Sequence, residues 1–526
     1  MGFANPPVTA AGGQYIRSAT LVVSASDSKD TRNVDYVCDG TDDQVEINAA
    51  IAALPDGGSV YLCGGTYNIC GPIVIDKDNI SLVGCGANTL ITIPDGLNAA
   101  MNFIEAANRT NLLFKDLRVD GNQANQTAGV MIGINFNSVT HSKIAKCWIE
   151  NVRGYGIALN LDNDNNAIEG CTSSGHSLDG IGLYRSSGNA LTGNICQDNN
   201  EVGIRLDDFC HNDTVTGNIC DSNGYQGIRV DKSCHYNTLV SNIVTGSGEE
   251  GIYVIESNGN VLDGNLVYGS AYEGIYLSSS NDCTVVGNSV INNGLDADVT
   301  YDGIRLTTSD YNNIQDNLIR TTLPVPPAPN RQRYGINVSN AACDGNLVKN
   351  NDLHQSGITA LFNDAGTDTK LPELWVNSIF DDSDANASLS NIGPAGSRYH
   401  VSIEMADTFD VTVRFNFRVP SDFHELVRAR VVVVPEYIGP PSNMRRGVEA
   451  IWGECSELVG TDTGTIAAGE VALTGGNTVN CLDINAALAG ITAGDHVGVA
   501  FTRYGSHVND TVGAPVHILV FWMQYV

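Results

Sequence analysis

Gly203-Ile-Arg-Leu-Asp-Asp-Phe-Cys-His-Asn-Asp-Thr-Val-Thr-Gly-Asn-Ile-Cys-Asp-Ser-Asn-Gly-Tyr-Gln226 runs straight into Gly227-Ile-Arg-Val-Asp-Lys-Ser-Cys-His-Tyr-Asn-Thr-Leu-Val-Ser-Asn-Ile-Val-Thr-Gly-Ser-Gly-Glu-Glu250. The two segments share one length and one frame. The opening pair recurs outward from them as Gly156-Ile157, Gly180-Ile181, Gly251-Ile252, Gly274-Ile275, Gly303-Ile304 and Gly335-Ile336. Successive glycines stand 24, 23, 24, 24, 23, 29 and 32 residues apart. A second marker keeps nearly the same beat: Asn194, Asn218, Asn242, Asn265, Asn288, Asn317 and Asn351, continued backwards by Cys171 and Cys147. Two markers in one register mean a stacked repeat, and a period in this range means a solenoid.

The unit reads as β. Its apolar runs are brief and rich in β-branched residues, and polar turn residues separate them. Some 23 residues with three short strands make one coil of a parallel β-helix, with coils stacked roughly 4.8 Å apart. Ile at +1 and Leu or Val at +3 after each Gly point inward, so +2 and +4 point out. The Asn column predicts an internal ladder at a turn, with stacked amides bonding one another and the backbone. Cys196 and Cys220 share an inward column with Val244, Val267 and Val290, and Cys210 and Cys234 should stack on adjacent coils. Whether such cysteines bridge is decided by geometry. A single coil cannot bury its own apolar face, so the stack is the folding unit.

Composition bounds the function. The chain has 526 residues, a net charge of −31 and only 17% charged residues. Such acidity excludes nucleic acid, whose binding relies on Lys and Arg, and disfavours anionic membrane surfaces. It suits a soluble extracellular or virion protein and leaves room for Ca²⁺, although acidity also serves simply to keep a large β protein in solution. No cofactor motif is present. The fourteen cysteines have no CxxC spacing, so no zinc site is expected. No apolar run is long enough to span a membrane. Residues 1–20 lack the basic and apolar regions of a secretory signal.

In chain order, residues 1–35 read as a leader or attachment segment. Acids then precede a helix near 43–54, whose Ile47, Ile51 and Leu54 share a face and which Pro55-Asp56-Gly57-Gly58 stops. Such a helix fits as a cap over the open end of the solenoid, which would otherwise expose a sheet edge. The β-helix spans 36–367, and 368–380 reads as a linker. Residues 381–526 change texture. Runs such as Asp410-Val-Thr-Val-Arg-Phe-Asn-Phe-Arg-Val419 and Val516-His-Ile-Leu-Val-Phe-Trp522 predict an antiparallel β-sandwich, jelly-roll-like, for binding or oligomerisation.

The N-terminal motifs carry a resemblance. Asp39-Gly-Thr-Asp-Asp43, Gly57-Gly58, Gly65-Thr-Tyr67, Gly84-Cys-Gly86 and Asp120-Gly-Asn122 resemble the pectate-lyase superfamily, in particular the branch shared by phage tailspikes and secreted polysaccharide-degrading enzymes. The resemblance covers about residues 35–365. It implies a right-handed parallel β-helix, a polysaccharide partner, an extracellular or virion-surface setting and a homotrimer. It leaves the reaction open, because one fold hosts many chemistries.

Alternation along the Gly-Ile strands writes out the outward face. Position +2 brings Arg205, Arg229, Tyr253, Tyr276 and Arg305 into one column. Position +4 brings Tyr184, Asp207 and Asp231 into another. The residue before each Gly adds Asp179, Glu250, Glu273 and Asp302. Sugars need such a surface, with rings to stack on and charges to hold hydroxyls or carboxylates. Asp207 and Asp231 are the first catalytic candidates. They are neighbours on adjacent coils, so their Cα atoms lie roughly 5 Å apart, and close carboxylates drive their pKa values apart. Arg205 and Arg229 flank them, and a surface ion-pair ladder accounts for this pair equally simply. Asp179, with His176 nearby, and Glu250 are the further candidates. The reading is a tailspike-like protein that binds and cleaves a polysaccharide by hydrolysis or elimination. The alternatives are a non-catalytic adhesin or structural fibre on the same scaffold, and a uronan C5-epimerase.

The trimer follows from the resemblance and from the position of the C-terminal domain. Light scattering should return a trimer for the full chain and a smaller species for a 1–370 truncation. A monomeric full chain overturns it.

Overall fold

The computed structural model describes residues 19–525, apart from 30, 56, 322–330, 354, 378–386, 393–399, 407, 421–422, 436–441, 454–461 and 474–478. They form two compact units. Among the described residues no helix is long and apolar enough to cross a membrane.

In the first unit each coil contributes three short strands, and each strand pairs in parallel with its counterpart on the next coil. One coil holds Ile181–Tyr184, Ala190–Thr192 and Ile195–Gln197. The next holds Ile204–Asp207, Thr214–Thr216 and Ile219–Asp221. We name the three stacks sheets I, II and III in that order. The register matches the repeat, with Ile181 opposite Ile204, Leu191 opposite Val215 and Cys196 opposite Cys220. This is the parallel β-helix expected from the doubled marker. The +1 and +3 side chains, such as Ile204, Leu206, Ile228 and Val230, are fully buried. The glycine that opens each coil faces a crowded inner corner. A Cβ on Gly203 would stand 2.6 Å from the Gly227 carbonyl oxygen and 2.8 Å from the Asn223 amide nitrogen.

The Asn column is an internal ladder. Asn218 Oδ1 accepts the backbone N–H of Asn194 at 2.9 Å and its side-chain N–H at 3.0 Å. The Asn218 amide in turn donates to the Leu191 carbonyl at 2.9 Å and to Asn242 Oδ1 at 3.0 Å. The same bonds continue through Asn265, Asn288 and Asn317. Further inner columns do the same work with mixed residues. The backbone N–H groups of Ser186, Cys210, Cys234, Ser257 and Ser280 are accepted in turn by Cys210 Sγ, Cys234 Sγ, Ser257 Oγ, Ser280 Oγ and Ser309 Oγ. Cys210 and Cys234 are free thiols stacked in this ladder, as are Cys196 and Cys220 in the core.

Another column runs Asn189, Asp213, Asn237, Asn260. Asp213 is the charged member, almost wholly enclosed. Its Oδ1 accepts two N–H groups of Asn189, at 2.7 and 3.1 Å, while its Oδ2 has no hydrogen-bond partner. Asn237 and Asn260 use the equivalent atom to donate to the carbonyls of Cys210 and Cys234. Burial pushes the Asp213 carboxyl up to about 8, against the pull of the Asn189 N–H groups. A protonated carboxyl thus imitates the amide it replaces.

The helix Gln44–Ala53 stands at the N-terminal end, burying Ile47, Ala50 and Ile51. It closes the edge strand Ile73–Ile75 of sheet I with side chains. Asn48 Oδ1 accepts the Val74 N–H at 2.9 Å, Asn48 Nδ2 donates to the Pro72 carbonyl at 3.0 Å, and Gln44 Oε1 accepts the Cys70 N–H at 3.1 Å. The exposed edge is thereby satisfied. Ala19–Ser24, inside the stretch read as a leader, is a strand paired in parallel with Gly58–Leu62; residues 1–18 of that stretch lie outside the described residues.

The second unit carries two antiparallel sheets. His400–Met405, Leu426–Pro435 and Asn480–Asp483 belong to one, with Val516–Tyr525 at its centre. Asp410–Arg418, His496–Tyr504, Ser442–Gly453 and Asp462–Leu473 form the other. Phe415, Phe501, Phe521 and Ile518 fill its core. Glu373–Asn377, within the stretch read as a linker, pairs with Val516–Tyr525 as a strand of the first sheet; 378–380 lie outside the described residues.

Two outcomes test the ladders. Asn218→Leu strands the N–H groups of Asn194 and should cost about 1–3 kcal/mol by denaturant melts; an unchanged melt would mean the column faces solvent. Asp213 holds its proton more tightly folded than unfolded, so it should make stability fall as pH rises from the ordinary carboxylate range to about 8, and no further above that. Asp213→Asn should abolish this slope and stabilise the chain by about 1–3 kcal/mol at pH 9, while changing little at pH 4.

Candidate functional site

The outward face of sheet I is set by register. Gly182, Arg205, Arg229, Tyr253, Tyr276 and Arg305 lie opposite one another on six consecutive coils, as alternation along the strands predicts. At strand spacing, identical rings on adjacent coils must stack. The rings of Tyr253 and Tyr276 lie 5.0 Å apart and within 12° of parallel. Arg229 Cζ sits 5.6 Å from the Tyr253 ring centre, and Arg305 Cζ sits 5.4 Å from that of Tyr276. A guanidinium thus closes each end of the pair, the geometry of a cation–π contact.

Beside this stack runs the column that precedes each Gly. Asp179, Val202, Gln226, Glu250, Glu273 and Asp302 are all buried. Four are acids, and each has found a partner. The Tyr184 hydroxyl donates to Asp179 at 3.0 Å, the Val202 N–H donates to it at 3.0 Å, and Arg205 Nε lies 3.1 Å away. Burial pushes the Asp179 carboxyl up to about 6, and Arg205, the Val202 N–H and Tyr184 limit the rise. Glu250 accepts the Gln226 amide at 2.8 Å. Its carboxyl is raised by burial, against the Gln226 bond and the nearby Arg229, and the neighbouring Glu249 adds to the rise. Glu273 accepts Arg305 Nη1 at 2.9 Å; burial raises it too, and Arg305 opposes. Arg333 grips Asp302 with two bonds, Nε at 3.0 Å and Nη2 at 2.8 Å, and Asn337 donates to the same carboxylate at 2.7 Å.

Asp207 and Asp231 do sit on adjacent coils, since the Asp231 N–H donates to the Leu206 carbonyl. One rung of the expected ladder forms and the other does not. Lys232 Nζ holds Asp207 at 3.1 Å, and Arg229 Nη2 donates to Asp231 at 2.7 Å. Arg205 turns back one coil to Asp179 and along its own coil to Glu201. His176 is not a solvated turn residue. It is fully enclosed in an inner ladder, where Nδ1 accepts the Val152 N–H at 3.1 Å and Nε2 lies 3.0 Å from Ser173 Oγ. Ser173 donates to the Gly180 carbonyl, so the imidazole proton is on Nε2. Burial drives the His176 pKa down to about 3.

Side chains two places before Gly complete the rim, and sequence reading did not select them. Tyr272 and Tyr301 stack at 4.5 Å and 16°, and Tyr225 lies exposed in the same column. Their signal was present, because Tyr225, Glu249, Tyr272 and Tyr301 fall on the repeat one step outside the column that was read. Where ligand-type side chains converge among the described residues is elsewhere, at Cys38, Asp43 and Glu46 beside the capping helix. Asp43 already accepts the Gly40 and Asn68 N–H groups there, at 2.8 and 2.7 Å. On sheet I a cation such as Ca²⁺ would have to displace arginine or amide from each carboxylate.

Residues 97–244 and 214–371 match the family model described as the right-handed β-helix region. Among solved structures, the A-modules of two mannuronan C-5 epimerases of Azotobacter vinelandii are similar. One is 21% identical with a TM-score of 0.57, covering 64% of this chain and 97% of that one. The other is 20% identical with a TM-score of 0.54 over the same shares, 64% and 97%. The enzymatically active domain of tailspike protein 2 of bacteriophage CBA120 is 14% identical, covers 92% of this chain and 80% of its own, and has a TM-score of 0.43. At these identities the likeness speaks to fold alone. No curated protein matches.

Proposed function

This chain belongs to the family of right-handed β-helix proteins, and from that premise we propose that it binds a polysaccharide along the outward face of sheet I and cleaves it there. The observation that carries the reading is the Arg229–Tyr253–Tyr276–Arg305 stack with Glu250 and Glu273 buried behind it. Rings fixed on rigid strands give a sugar polymer apolar ring edges and hydroxyls without the cost of ordering a loop. The face repeats at strand spacing, so a long linear ligand meets the same kind of surface on coil after coil. An extracellular or virion-surface protein would meet such polymers.

Glu250 and Glu273 are consecutive-coil neighbours, since the Gly251 N–H donates to the Glu273 carbonyl. Their surroundings differ. Glu250 has a neutral amide for a partner and a second carboxylate beside it, burial raises its carboxyl, and it is the candidate general acid. Glu273 is paired with a guanidinium, which favours the carboxylate and suits a base or nucleophile. Asp179 is the reserve acid, screened by Tyr184 and Arg205. The Asp207–Asp231 pair remains the alternative, with Lys232 and Arg229 as its counter-charges.

A second reading has its own support. Each buried acid of the face already has a hydrogen-bond or ionic partner, which is how a binding platform is stiffened, and an adhesin needs nothing more. Incubation with a polysaccharide panel separates the readings. New reducing ends mark hydrolysis, absorbance from unsaturated uronic ends marks elimination, and altered uronate composition at constant chain length marks epimerisation. Retention without change marks the adhesin. If Glu250 is the acid, Glu250→Gln should lower the rate by about 10²–10⁴-fold with binding and melting retained. A loss confined to Asp207→Asn and Asp231→Asn moves the chemistry to that pair.

A further inference from the structure

We propose that the polymer this face takes is uncharged, and that uronans are poor ligands for it; the inference rests on the binding reading above and narrows it. Recognition of a sugar carboxylate is the task of an arginine fork or a free ammonium. Each of the two arginines that close the tyrosine stack already has one nitrogen committed to a carboxylate. Arg229 gives Nη2 to Asp231 at 2.7 Å and Arg305 gives Nη1 to Glu273 at 2.9 Å, and the Nε of each is buried without a hydrogen-bond partner. Arg205 and Arg333 are committed to Asp179 and Asp302, and Lys232 to Asp207. Arg185, exposed at the turn after Tyr184, lies three coils before Tyr253.

Carboxylates, by contrast, are in surplus. Glu249 and Glu250 share only the amide of Gln226, which donates to them at 2.5 and 2.8 Å. The face therefore presents rings, amides, hydroxyls and an uncompensated negative charge, on a chain whose net charge is −31. A polyanion approaching it meets repulsion, and the cations beside the tyrosine stack, Arg229, Lys232 and Arg305, are each already paired with a carboxylate. An uncharged polymer meets no such repulsion and keeps its contact with the edges of Tyr253 and Tyr276 and with Tyr272 and Tyr301.

The experiment measures retention of the full chain by affinity electrophoresis in gels loaded with dextran, xylan or galactan, and with alginate or polygalacturonate. At least one neutral polymer should bind at least about tenfold more tightly than either uronan. Binding of the neutral polymer should change little between about 0.05 and 0.5 M salt, and the preference should narrow as salt screens the repulsion. Asp231→Asn, which releases Nη2 of Arg229, should gain several-fold in uronate binding; Glu273→Gln, which releases Arg305, provides the same test if the first variant melts early. Uronans bound more tightly than every neutral polymer, with affinity falling as salt rises, would overturn the inference and leave polysaccharide binding standing. Retention by no polymer of either class would overturn both.

Discussion

Every coil of this solenoid turns backbone N–H groups toward its interior, where no water reaches them. A side chain from the following coil must accept each one, because a buried donor left alone costs about as much as a lost hydrogen bond. That single requirement orders the rest. Asn194 waits on Asn218, Ser186 on Cys210, Asn189 on Asp213, His176 on Asn199. Each bond locks the register of one coil to the next. Once the inner register is locked, the outer one has no freedom. Arg229 lies opposite Tyr253, and Tyr253 opposite Tyr276.

The same requirement explains what could be seen in the sequence and what could not. The Asn218 column was legible because each of its members from 194 to 317 is asparagine, whose amide accepts and donates in the same turn. The Ser186–Cys210–Cys234–Ser257 ladder was not. Hydroxyls and thiols accept equally well, so no one letter repeats, and Cys210 and Cys234 read as a stack without a purpose. The ladder role of His176 was hidden for a related reason. Its Nδ1 fills an acceptor position in an inner column, and a lone histidine in a glycine-rich turn gives no sign of that. On the outer face, which residues share a column could be written down from alternation alone. Their partners could not. Arg205 passes over Asp207 and turns back to Asp179, because Asp179 is sealed at the strand's start and needs a counter-charge, while Lys232 reaches Asp207 from the next turn. Long side chains choose among neighbours by burial and charge, and periodicity carries neither.

Burial of the acid column has a cost. A carboxylate taken out of water is expensive unless good geometry repays it. Here repayment differs from coil to coil. Asp302 receives two guanidinium bonds and two amides, one from the Tyr334 backbone. Glu273 receives one guanidinium bond, and Glu250 none. The column is thus a graded series of equivalent positions in unequal surroundings. Cation support in the column is thinnest at Glu250, on the coil that carries Tyr253.

The places where the repeat lengthens complete the argument. The two longest spacings follow Gly274 and Gly303, 29 and 32 residues against 23 or 24 elsewhere. A solenoid absorbs such insertions in its turns, since each coil contacts only its neighbours. These turns lead into sheet I, and they deliver the two side chains that finish the rim. The longer coil before Gly303 ends in Tyr301, laid on Tyr272, and in Asp302; the one before Gly335 ends in Arg333, clamped on Asp302. Arg331 reaches back to Asp298 across the same pair of coils. A scaffold under selection for stacking alone would keep its period. The departures fall where the tyrosines gather, and surface loops that carry function are where insertions are tolerated. The inner ladders hold the frame constant, and variation is left to the edge of the outward face of sheet I.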